Sequence, residues 1–106
     1  MTILEKVRKL EQYITIDNGT ADPVLDLAID KILAREIERL EQLRDGLSTQ
    51  LSEFERTYNM DSHTQYQRYE QGELGDAMDF MEWAATTEMV ENVNRRLQFI
   101  TNEVTK

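Results

Sequence analysis

The sequence predicts an all-α protein: an elongated antiparallel hairpin or bundle of about four helices, two of them long. Three observations carry this expectation. Apolar residues recur at helical spacing over most of the chain. Capping and turn signals divide it at a few points only. A single Pro, four Gly and no repeat or low-complexity tract leave little room for anything but helix. The 106 residues are expected to form one helical domain, 1–106.

Thr2 with Glu5 forms a capping-box signature, and Ile3, Val7, Leu10 and Ile14 make one helical stripe. This first helix is expected to end near Tyr13, because Ile14-Thr15-Ile16 is β-branched and Asp17-Asn18-Gly19 signals a turn. Asp22-Pro23 opens the second helix as N-cap and first helical position. From there Leu25, Ile29, Ile32, Leu33, Ile37, Leu40, Leu43, Leu47, Leu51, Phe54 and Tyr58 keep to one face. At 100° per residue they span about 140° without drift, which describes a nearly straight amphipathic helix. Gly46 weakens it by about 1 kcal/mol relative to Ala. Asn59-Met60-Asp61 then breaks the chain, and Ser62 with Gln65 offers a second capping box. A short helix presenting Tyr66 and Tyr69 ends at Gly72, and Gly75-Asp76 starts the last helix, which reaches about Thr101.

The second helix would be about 50 Å long, against a radius of gyration of about 13 Å for a compact domain of this size. Hence the expectation of elongation, of antiparallel second and fourth helices, and of a second chain covering part of the long stripe. The last helix carries two apolar lines. Trp83, Val90 and Leu97, flanked by Val93 and Ile100, fit a core. Met78, Met81, Ala85 and Met89 lie roughly 120–180° away. A helical Met line is ordinarily core; a foreign groove or a homo-oligomer seam are the alternatives.

Composition narrows the function classes. A net charge of −9 opposes direct contact with nucleic acid or anionic membranes. The absence of Cys excludes thiolate chemistry and disulfides. No apolar run approaches the roughly 20 residues of a membrane span, and the N-terminus lacks a signal-peptide core, so a cytoplasmic location is expected. No phosphate loop, nucleophile elbow or metalloprotease motif is present. The acid spacing matches neither an EF-hand nor a Glu-x-x-His pair. Catalytic, cofactor-binding and metal-binding residues are accordingly expected to be none.

From Tyr69 to Asn94 the chain has no Lys or Arg but seven acids: Glu70, Glu73, Asp76, Asp79, Glu82, Glu88 and Glu91. Acids early in a helix complement its dipole, which accounts for Asp76 and Asp79. The missing bases point further, to a basic protein surface. Glu73, Asp76, Asp79 and Glu82 are expected to supply the charge, and Tyr69, Leu74, Phe80 and Trp83 the anchoring area. These eight are the expected partner-binding residues.

Phe54-Glu55-x-x-Tyr58-x-Met60-x-Ser62 followed by Tyr69-x-x-Gly72-Glu73-Leu74-Gly75-Asp76-x-x-Asp79-Phe80-x-Glu82-Trp83 resembles small prokaryotic all-helical proteins. These look like the antitoxin-type halves of two-gene toxin–antitoxin modules. The resemblance covers roughly residues 25–100. It implies a non-enzymatic protein that binds and restrains a basic, RNA-acting toxin. No basic recognition helix is legible, so operator binding is not expected. Homo-oligomerisation, a dimer being favoured, is the alternative function: a self-associating helical scaffold. Arg56 and His63, six residues apart, resemble the loose Arg/His motif of the HEPN ribonucleases and give a remote third reading. Thr57 after the Arg, the break at Asn59–Asp61 and the acidic surroundings depart from that pattern.

Overall fold

Residues 1–16 and 22–102 are described by a computed structural model. Among them the backbone forms four helices and no strand: α1 (Ile3–Ile16), α2 (Pro23–Tyr58), α3 (Ser62–Glu70) and α4 (Met78–Thr101). Thr2 caps α1 by accepting from the Glu5 amide at 3.1 Å, and its hydroxyl donates to the Glu5 carboxylate. The helix outruns its expected end at Tyr13 by three residues. The β-branched run stays helical, with the Thr15 hydroxyl donating back to the Glu11 carbonyl at 2.8 Å. The expected turn at Asp17-Asn18-Gly19 lies outside the described residues.

Asp22 caps α2 through a 2.8 Å bond from the Val24 amide, and the helix runs unbroken through Gly46 for 36 residues, about 54 Å. It stops at Asn59, whose φ of 52° is left-handed. The Met60 amide then donates back to the Glu55 carbonyl at 3.3 Å, closing a Schellman motif. The same motif ends α3, where Gly72 takes φ 76° and the Glu73 amide donates to the Arg68 carbonyl at 3.0 Å.

Two helix starts differ from expectation. Asp61, not Ser62, caps α3: its carboxylate accepts from the Thr64 amide at 2.7 Å and the Thr64 hydroxyl at 3.0 Å. Ser62 is drawn into the interior instead. The last helix begins at Met78 with Ala77 as a cap lacking a side-chain bond, so Asp76 stands before the helix and does not cap it.

The chain divides into two compact units, Met1–Ala34 and Arg35–Lys106, with α2 crossing the division. In the second unit α2 and α4 run antiparallel, with Phe54 and Tyr58 against Trp83 at one end. Farther along, Leu40, Leu47, Val93 and Leu97 form the buried cluster, with Ile37, Val90 and Ile100 packed on it. The Trp83/Val90/Leu97 line of α4 is thus the core line. The Met line is not: Met78, Met81 and Met89 are 71%, 50% and 49% exposed, and Ala85 is exposed too. Since α2 and α3 both pack on the Trp83 side, no described helix of this unit is left to cover the opposite face.

The Asp61 cap makes a pH prediction. Hydrogen bonds from the Thr64 amide and then its hydroxyl hold the Asp61 carboxyl below its ordinary value. A depressed folded value stabilises the fold above the unfolded value and loses that contribution as pH falls through the folded one, below about pH 4. Asp61→Asn keeps an acceptor but no charge. Its stability deficit in urea is therefore expected at pH 7 and should be smaller at pH 3. An equal deficit at both pH values would dismiss the charged cap.

Candidate protein-binding surface

Trp83 is the joint on which the site is built. It is 0% exposed, stacked on Phe54 at 5.5 Å between centroids and 10° between planes, and on Tyr58 at 5.7 Å. Its indole N–H donates to the Ser62 hydroxyl at 2.9 Å, satisfying the one polar atom that burial would otherwise penalise. The Glu55 carboxylate accepts from the Ser62 amide at 2.8 Å, and the Gln65 side-chain amide donates to the Phe80 carbonyl at 3.1 Å. These bonds tie the end of α2, the start of α3 and the first turn of α4 together. Gln65 is itself 0% exposed, and its Oε1 has no protein partner.

This burial corrects one expectation outright. The Trp83 ring is interior and cannot anchor a partner in this conformation. Phe80 is half-buried and packs against Tyr58, with ring centroids 5.1 Å apart. It supports the surface more than it presents itself. Tyr69 and Leu74 are also half-buried, whereas Glu73, Asp76, Asp79 and Glu82 are all exposed. The acids differ in how they are engaged. Glu73 lies 3.4 Å from Arg68, an exposed pair across the end of α3 that partly compensates the acid run. Asp79 accepts the Tyr58 hydroxyl, and this bond, burial and the carboxylate charge together push the Tyr58 phenol above its ordinary value. Farther along, Tyr66 donates to Glu88, and its phenol is likewise pushed up, chiefly by that bond. Both phenols are therefore held neutral, as donors. Asp76 and Glu82 make no side-chain hydrogen bond or ion pair among the described residues.

A groove of about 310 Å3 opens between α2 and α4, lined by Gln50, Glu53, Phe54, Thr57, Tyr58, Asp79, Glu82 and Thr86. Its lining holds three acids and no base. The structure thus brings Asp79 and Glu82 together with Glu53, and leaves Tyr69, Glu73, Leu74 and Asp76 outside this groove. Glu53 and its α2 neighbours are the members that a reading confined to residues 69–83 misses. The signal that could have found them is the antiparallel register: pairing Tyr58 with Asp79 and Phe54 with Trp83 places Glu53 beside Glu82. On the α4 helical wheel, Glu82 stands only about 40° from Met78 and about 60° from Ala85, so the acidic rim borders the exposed Met line.

Among the described residues no group of three or more His, Asp or Glu side chains could hold a metal ion. No described helix is long and apolar enough to cross a membrane. Arg56 and His63 are both exposed, in the last turn of α2 and the first turn of α3. No family model, no curated protein and no solved structure matches the chain.

Proposed function

We propose that the protein is a non-enzymatic acidic binder that captures a basic protein partner at the α2–α4 groove, the activity expected of an antitoxin toward its toxin. One observation carries the reading: Glu53, Asp79 and Glu82 rim a groove whose floor is Phe54 and Tyr58 and whose lining contains no base. Acids around an aromatic floor suit an Arg or Lys side chain, whose stem packs on the rings while its charge meets carboxylates. The neighbouring Met78, Met81 and Met89 are exposed, and flexible thioethers adapt to a partner's shape. Negative charge would speed encounter, and the desolvated floor would supply retention.

The test separates charge from folding. Asp79 accepts a hydrogen bond from Tyr58 and lies in the first turn of α4, so reversing it would disturb the helix start. Glu53 and Glu82 are exposed and make no side-chain hydrogen bond among the described residues. The tagged chain and its Glu53→Lys/Glu82→Lys variant are used to capture proteins from the native cell at low and raised salt, with mass spectrometry of the eluate. The expected result is a basic protein retained at low salt, released as salt rises, and lost by the variant while its circular dichroism is unchanged. Undiminished capture by the variant would remove the groove from the proposal.

A further inference from the structure

We propose that Met1–Ala34 is the interface of an isologous dimer, in which the apolar groove between α1 and the start of α2 is closed by the same groove of a second copy to give a four-helix bundle. The first observation is that the described residues of this unit form no interior. Every described residue in it is exposed or half-buried, and α1 has no buried residue at all. Val7, Leu10 and Ile14 of α1 face Ile29, Ile32 and Leu33 of α2 across an open groove of about 380 Å3. Helices of this length hold their conformation through a packed apolar face, and a two-helix unit alone supplies none.

The size of the open patch fits one further copy. The exposed fractions of Ile3 (81%), Leu4 (57%), Val7 (53%), Ile32 (67%) and Leu33 (42%) amount to about three whole side chains. With the half-buried residues beside them, the apolar patch is on the order of 450 Å². An interface of ordinary composition, about 60% apolar, built on that patch would cover about 750 Å² per copy. A stable complex needs roughly 800 Å² per partner.

Charge selects the occupant. Met1–Ala34 has six acids and four bases, a net of −2, so Arg35–Lys106 carries the remaining −7 of the −9. Self-association through the first unit therefore uses the less acidic of the two. The unit is also self-complementary. Lys6 and Lys9 flank Leu10 and Tyr13 along one side of α1, while Asp22, Asp26 and Asp30 recur at i, i+4 and i+8 along α2. In a two-fold pair each basic flank of α1 meets the acidic flank of the other copy's α2, twice over. A basic foreign protein would instead meet Lys6 and Lys9.

Sedimentation equilibrium of the full chain at tens of micromolar tests this. The expected mass is twice the 12.5 kDa of the chain. Ile32→Asp, at a position exposed in the single chain, is expected to give the single mass. Its Trp83 emission should be unchanged, since the only Trp lies in the other unit. Lys6→Glu/Lys9→Glu and Asp26→Lys/Asp30→Lys should each weaken the dimer by about tenfold or more, and mixing the two variants should restore it. A 12.5 kDa mass for the unaltered chain, a larger closed assembly, a dimer that survives Ile32→Asp, or a mixture that fails to recover would each overturn the proposal.

Discussion

Trp83→Ala is expected to destabilise the Arg35–Lys106 unit by about 3–5 kcal/mol, a large part of the stability of a small domain. The side chain is wholly buried, and its removal costs more than apolar area. Phe54 and Tyr58 lose their stacking partner, and the Ser62 hydroxyl loses the donor that occupies it. Because α2, α3 and α4 meet at this ring, the damage is not confined to one helix. Trp83→Phe keeps a ring but not the N–H, and should fall between the two. Urea unfolding followed by circular dichroism measures both, since the variants lack the fluorophore. A loss below about 1 kcal/mol for Trp83→Ala would mean that the ring does not join the three helices.

The second large effect is expected at Leu47. Leu40, Leu43 and Leu47 belong to the same stripe of α2, and sequence alone does not rank them. In the structure Leu47 is 5% exposed within the cluster of Leu40, Val93 and Leu97, whereas Leu43 is 40% exposed. Leu47→Ala removes buried methyl groups and leaves a cavity, at about 2–5 kcal/mol. Leu43→Ala removes a side chain already in contact with water, and about 1 kcal/mol or less is expected. Equal losses at the two positions, by urea unfolding with Trp83 fluorescence, would contradict the packing of α4 on α2.

Both effects act through the surface that the proposed function uses. The groove exists because Trp83 holds Phe54 and Tyr58 at its floor and because the register of α4 on α2 sets Glu82 near Glu53. A core variant should therefore lose capture together with stability. Glu53→Lys/Glu82→Lys should lose capture alone. The comparison distinguishes a binding surface from a merely solvated acidic face.

Local chemistry determined the elements. The Asp22-Pro23 start, the left-handed stop at Asn59, the stop at Gly72 and the 3.6-residue stripe of α2 are properties of neighbouring residues, and each stands where the sequence places it. The rest of the inner line of α4 was equally legible, because Val90, Val93, Leu97 and Ile100 share one face. Other features depended on residues brought from far along the chain. A Trp within an acidic run suits an interface or an interior equally well; only the arrival of Phe54, Tyr58 and Ser62 made it interior. Ser62 left the capping role to Asp61 for the same reason, being claimed by an indole 21 residues away. The Met line stayed outside because α2 and α3 pack on the opposite side of α4. Helical periodicity fixes which side chains share a face, but which faces meet is decided by long-range packing.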